Sequence, residues 1–441
     1  MNDLSRQRQR VNDWMAGNQA TFSVMHQGHV ERSAAPYDPI PLVLSAEEFT
    51  HLEQGLIQRI CALNLFLGDI YSNRMIVRDG VIPEEFVYSS PEFQPFCMGL
   101  KPVKALYNHI TATDLVKDTS GQWYVMQDNL AVPRGAAYPH FARKLSRAVS
   151  PETYEVPGLC DNCGLDILLS QLYQDLAQGL QNNDGITVIL KAGEQTNANF
   201  ELGYLSELTG AVFAAPEDLT VMEDAVYYRS PEGGGFQKVA VIHRQTHDSD
   251  LDPLVFDLNS TMGVPHLMEA YRHGRVAIVN APGCGIADDR GLNYFVPQMI
   301  RYYLDEEPIL QNVPTWLPWY DDQRKYILEH IDELLIKDIS GDLSNGSIQV
   351  GSLTAQGRNA IKEKLLRYPR RYIAQQIMDI DRQPILSPDG QSQIMARTDL
   401  RCFTVHCDSI RVWMGGLSRF SHLDENGQYV SGFKDAWVMS K

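Results

Sequence analysis

From Ala46 to Tyr71 the run AEEFTHLEQGLIQRICALNLFLGDIY returns to an apolar residue every three or four positions. That spacing lines side chains up on one face of an α-helix. It predicts one long amphipathic helix with a weak point near Gly55 and a buried stripe of Leu52, Leu56, Ile60, Leu63, Leu67 and Ile70. Arg59 and Asn64 fall off that stripe and could face a site, with solvated positions as the default reading. A different period governs Asp114–Gly135, DLVKDTSGQWYVMQDNLAVPRG, where two short runs flank the turn signal TSG at 119–121. This predicts a β-hairpin. On strict alternation Trp123, Val125 and Gln127 share one face, and Tyr124, Met126 and Asp128 share the other. A hairpin that gathers Asp, Gln and Asn oxygens can hold a hard cation such as Mg²⁺. Taken alone, the same residues also suit a hydrated surface hairpin.

The middle third changes pattern. ITVILKAG at 186–193 reads as a strand, NANFELGYLSELTG at 197–210 as a helix with a glycine stop, and AVFAA at 211–215 as a second strand. Strand, helix and strand at this spacing predict a βαβ unit on a mostly parallel sheet. RVAIVNAPGCGIADDR at 275–290 is a further apolar strand opening into a glycine-rich loop, and ligands gather at such strand ends. Later, ELLIKDISGDLSNGSIQVGSL at 333–353 leads through Lys337 into a small polar loop and back along a second strand. Such a loop can close over phosphates while the lysine adds a point charge. It lacks the GKS or GKT of a Walker A loop. RYIAQQIMDI at 371–380 has strand character and offers Gln375 and Gln376 as a nucleobase-binding edge. Arg419 and Lys434 lie on two apolar strands near glycines.

Composition narrows the classes. The 441 residues are long enough for two or three compact units or one large domain. There are 38 basic and 55 acidic residues, a net charge of −17, which argues against a nucleic-acid or anionic-membrane surface. No apolar run of about twenty residues suggests a membrane span. The N-terminal MNDLSRQRQRVNDWMAGNQ lacks the apolar core of a secretory signal, so a cytoplasmic protein is expected. Seven cysteines without scaffold spacing fit a reducing compartment. The lone pair Cys160/Cys163 and the cluster Cys402, His406, Cys407 are read as structural rather than metal-binding. His109, His140, His243 and His247 are likewise read as structural or solvated. The glycines of NAPGCGIADD have the wrong spacing for a dinucleotide fingerprint, which disfavours an NAD-dependent oxidoreductase.

Seven segments in order, QRICALNLFLGDIY, DLVKDTSGQWYVMQDN, HDSDLDPL, NAPGCGIADD, PQMIRYYLDEEPIL, DLRCF and SGFKDAW, resemble the circularly permuted type 2 ATP-grasp family, relatives of the synthetase part of glutathionylspermidine synthase. The resemblance runs from Pro36 to Trp437. It implies an α/β fold with α+β elements: a circularly permuted ATP-grasp with a central βαβ, pre-ATP-grasp-like subdomain. The expected division is an N-terminal extension (1–35), a helical and metal-binding part (36–150), a substrate subdomain (151–320) and an ATP-lysine part (321–441). The resemblance implies that the order of an ordinary ATP-grasp chain is rotated, with the hairpin ahead of the lysine strand; such permutation is tolerated where termini lie close together.

The resemblance also implies roles. Asp114, Gln127 and Asn129 would hold Mg²⁺. Lys337, Gly341, Gly346, Gln375 and Gln376 would bind ATP. Arg401, Arg419 and Lys434 would face phosphates or a substrate carboxylate, and Arg244, Asp252, Asn280 and Arg134 would bind substrate. The implied reaction is ATP- and Mg²⁺-dependent ligation of a carboxylate to an amine through an acyl phosphate, which relies on positioning and charge neutralisation. The implied partners are small-molecule or peptide carboxylates and amines, with a helical protein and a transglutaminase-like protein as companions. Four positions depart from the family pattern: Gln127 for Glu, Arg134 for Ser, Arg290 for Lys, and Gln376 for an acid. A neutral amide is a poorer Mg²⁺ ligand than a carboxylate, so the alternative is an impaired homologue that binds a nucleotide or peptide as a regulator or scaffold.

Overall fold

The computed structural model describes residues 3–440 apart from 18–20, 27–28, 35–36, 150, 152–155, 163, 181–183, 193–197, 340–346, 388 and 424–428. The helix expected near residue 46 runs unbroken over Ala46–Ile70, with the Ser45 side chain accepting a hydrogen bond from the Glu48 N–H at its start. All six residues of its expected stripe are buried. Gly55 does not break it. A Cβ there would lie 2.4 Å from Leu310 Cγ, so the glycine permits a close approach. The first residues form a helix, Asp3–Gly17, and an antiparallel hairpin of Thr21–His26 with His29–Ala34.

That long helix backs a nine-stranded sheet. Its main path runs from Gln311–Asn312 through Trp123–Asn129, Ile110–Lys117, Gln393–His406, Leu417–Leu423 and Tyr429–Met439 to Tyr37–Ser45. Early and late stretches of the chain therefore share one sheet. The back face carries Leu115, Val125, Leu400 and Cys402 into a core with Phe49, Leu52 and Leu56 of the helix.

The hairpin forms as expected, with one correction. Asp114 pairs with Gln127 but Leu115 pairs with Val125, so Met126 is an extra residue in a bulge. The bulge breaks strict alternation. Val125 faces the core behind the sheet, and Gln127 turns to the front beside Asp114.

The other two sheets complete the frame. Ile186–Leu190, Ala198–Thr209 and Val212–Ala214 form the predicted parallel βαβ unit. Phe236–His243 and Ala277–Val279 continue that sheet in parallel. A four-stranded sheet holds Thr315–Trp316, Tyr372–Gln376, Leu334–Asp338 and Ser347–Gln349. Leu334 and Ile336 pack beneath it with Ile361 and Leu365 of the Ala355–Arg367 helix. Lys337 alternates to the opposite face. The six described cysteines are free thiols, and Cys163 lies outside the described residues. Among the described residues no helix is long and apolar enough to cross a membrane.

Candidate functional site

The front of the nine-stranded sheet gathers charge at one level. Asp114 pairs across the strands with Arg401, and Asp399 pairs with Arg419, so alternation puts all four on the same face. Arg401 grips Asp114 with two parallel bonds, Nε to Oδ1 and Nη2 to Oδ2, each 2.7 Å. Arg419 Nη2 adds a third at 2.9 Å to Oδ1, while its Nε donates to Asp399 Oδ1 at 2.7 Å. Burial pushes the Asp114 carboxyl up, but the Arg401 bond and the two guanidinium charges outweigh it, and its pKa lies below the usual range. Burial dominates at Asp399 and raises its pKa.

The other sheet supplies Lys337. Burial pushes its ammonium down to about 8, the Arg290 charge adds to that, and the Asp114 carboxylate opposes it. The Asp114 carboxylate on one sheet is thus close enough to act electrostatically on Lys337 of the other. Arg290 donates to the Asp338 carbonyl at 2.7 Å beside the lysine strand. Gln375 lies two strand positions from Ile373, the residue opposite Lys337, and so shares the lysine's face. Its Nε2 donates to Thr315 Oγ1 at 3.2 Å. Gln376 is exposed and turned the other way, with its backbone N–H held by the Pro314 carbonyl.

A resident Mg²⁺ would fall to Asp114, Gln127 and Asn129, and this donor set fits it poorly. Gln127 Nε2 points at Asn129 Oδ1 at 3.5 Å, and Asn129 Nδ2 donates towards Ala112 O at 3.3 Å and Asp114 Oδ2 at 3.4 Å. The Asn129 amide turns its N–H group, not its oxygen, towards the one carboxylate, and the Asn129 oxygen faces the Gln127 N–H group. That carboxylate is already held by two arginines. Neighbouring Asp128 offers no remedy, because it points through the back of the sheet to Arg59.

Several expected residues lie elsewhere. Lys434 pairs with Ser418, one position out of step with Arg419, so it projects from the back face. There it is buried and donates to the Pro384 carbonyl at 2.8 Å. Arg244 is buried and donates to Asp248 and to the Thr246 and Asn280 carbonyls. Asp252 accepts the Leu254 and Met268 N–H groups. Asn280 ties the His109 and Ile110 N–H groups to the Ile110 and Leu130 carbonyls. Asn280 ties the two sheets together, and Arg244 and Asp252 spend their hydrogen bonds on the chain around them. Arg134 has an exposed side chain, and its carbonyl accepts Arg401 Nη1 at 2.9 Å. The next residue, Gly135, has φ +103° and gives its N–H to the buried Glu201 carboxylate. Gly341 and Gly346 lie outside the described residues.

Asp399 was missed from the sequence, although standing two residues before Arg401 on a strand was a usable signal. With the geometry in place, comparison with known proteins decides the family. Residues 41–421 match the family described as circularly permuted ATP-grasp type 2. The chain belongs to it. An uncharacterized protein of Synechocystis sp. is 38% identical over 95% of this chain and 87% of its own length. A Frankia casuarinae protein, provisionally named glutamate–cysteine ligase 2-2, is 32% identical over 91% of this chain but only 47% of its own length. Its name therefore describes a protein about twice as long as the shared region. Among solved structures, a glutathione synthetase-like effector of Globodera pallida in its apo form matches with TM-score 0.59 over 99% of this chain and 97% of that one. At 11% identity this ATP-grasp chain shares with it a fold.

Proposed function

We propose that the protein is an ATP-dependent carboxylate–amine ligase of the cytoplasm, working in the cleft between Lys337 and the Asp114 face. The observation that carries this reading is that Lys337 of one sheet lies within electrostatic reach of Asp114 on the other, the carboxylate that Arg401 and Arg419 hold, in an ATP-grasp fold. In the proposed reaction a substrate carboxylate oxygen attacks the γ-phosphorus of ATP. The bond to the bridging oxygen breaks and ADP leaves. An amine nitrogen then attacks the acyl carbon, the bond to the phosphate oxygen breaks, and phosphate and one proton depart.

The chain's own part is positional. Lys337 is suited to the nucleotide phosphates, and its lowered pKa is the cost of a buried ammonium that an incoming phosphate relieves. Arg401 and Arg419 are suited to the charge on the transferred phosphoryl group or on the substrate carboxylate. Because the Asp114, Gln127 and Asn129 set does not fit a resident Mg²⁺, no step is assigned to the metal. Amino-acid or peptide carboxylates are the proposed substrate class, with the companion proteins named above as proposed partners.

The test is ATP turnover in the presence of carboxylate panels with hydroxylamine as the amine. Ligation predicts hydroxamate and ADP in equal amounts. Formation of AMP and pyrophosphate, or ADP without hydroxamate, contradicts it. A second reading, a nucleotide- or peptide-binding regulator without ligation, is favoured by Gln127 and by the arginine-capped Asp114. It predicts nucleotide binding with no turnover on any pair.

A further inference from the structure

Among the described residues the cleft holds more positive than negative charge. Asp114 and Asp399 are its carboxylates, and they face Arg401 and Arg419, with Lys337 and Arg290 on the opposite side. A cation site needs the reverse balance, because each carboxylate draws the metal in and each guanidinium repels it. Two arginines already occupy Asp114, where a metal would have to displace them or share a carboxylate with them. Their donors are not exhausted. Arg401 uses one N–H on each of its three nitrogens, and Arg419 uses only Nε and Nη2. A guanidinium carries five N–H groups, so both retain N–H groups for an anion without releasing Asp114. Their side chains are 15% and 33% exposed, which leaves them within reach.

Resting on the ATP-cleft reading, we propose that this protein binds the nucleotide triphosphate without a protein-held divalent cation. Arg401 and Arg419 supply the charge that a carboxylate hairpin would take from Mg²⁺. Asp114 is then a counter-ion to the arginine pair and does not ligate metal. Gln127 fits the same design, since a carboxylate there would add an anion beside Asp114 and weaken the site for phosphate.

The experiment is a titration of the full chain with a non-hydrolysable ATP analogue, in EDTA and in Mg²⁺, for the wild type and three variants. The expected wild-type affinity in EDTA is within about threefold of that in Mg²⁺. Arg401→Gln should weaken binding roughly tenfold or more in both buffers, the scale of a hydrogen bond to a charged group. Asp114→Asn should keep or tighten binding, because it frees the arginines. Gln127→Glu should create a dependence on Mg²⁺. Loss of wild-type binding in EDTA, together with loss in Asp114→Asn, would overturn the proposal and leave the ATP cleft standing. Absence of nucleotide binding in both buffers, in protein with a cooperative unfolding transition, would sink the ATP cleft itself and this proposal with it.

Discussion

Asp114 and Asp128 sit one register step apart on the two strands of the same hairpin, each answered by arginine, yet they are put to different uses. Asp128 faces the back of the sheet. Its carboxylate accepts Arg59 Nε at 2.7 and 3.0 Å, the Thr113 hydroxyl at 3.0 Å and Asn293 Nδ2 at 3.0 Å. The side chains of Arg59 and Asp128 are 1% and 0% exposed. Asp114 faces the cleft, where its arginines keep N–H groups to spare and partial access to solvent. Both are acid–arginine pairs, but the first locks the helix to the sheet and the second is available to a ligand. What separates them is the direction a strand residue points and whether the arginine can be reached from solvent.

The largest effect should come from breaking the sealed pair. Arg59→Met leaves Asp128 charged and buried, and should cost about 3–5 kcal/mol in urea unfolding. Arg59→Met combined with Asp128→Leu should recover most of that, since no charge is then stranded. Arg401→Gln should cost about 1 kcal/mol or less, as for a partly exposed pair. Equal losses at Arg59 and Arg401 would erase the distinction between the two faces.

A pH experiment sharpens the comparison. Lys337 and Lys434 are both held near 8 by burial, one in the cleft and one behind the sheet. Between pH about 8 and about 10.4 the unfolded chain binds more protons at these lysines than the folded one, so their contribution makes stability rise with pH through that window. Only Lys337 should answer to nucleotide. A phosphate beside it favours the ammonium, so binding at pH about 8.5 should take up a fraction of a proton. Titration in buffers of different ionisation enthalpy would show this. The uptake should vanish in Lys337→Gln and persist in Lys434→Gln. The smallest effect is expected at Asp399→Asn, which keeps one bond to Arg419 but loses its charge assistance. It should weaken analogue binding about threefold without moving the urea midpoint.

The helix stripe, the hairpin turn, the βαβ unit and the lysine strand were legible because each repeats a period over several residues. The ATP-grasp family was legible from seven ordered segments, none of them decisive alone. Three things were not. The bulge at Met126 leaves no mark on hydrophobic alternation, yet it moves Gln127 to the front of the sheet. Lys434 reads like Arg419 in sequence, and only the strand register shows that they project from opposite faces. Arg59 reads as a solvated helix residue because its partner lies 69 positions away across the hairpin. Likewise Arg244, Asp252 and Asn280 have the residue types of a substrate site, while their hydrogen bonds close on the chain itself. Type and spacing could not reveal that.

The most direct test of the central claim is calorimetric titration of wild type and Lys337→Gln with a non-hydrolysable ATP analogue, with Mg²⁺ present throughout. An ATP cleft between Lys337 and the Asp114 face predicts saturable one-site binding that weakens roughly tenfold or more in the variant, with both proteins equally folded. Equal affinity in the two proteins, or no binding in either, would contradict it.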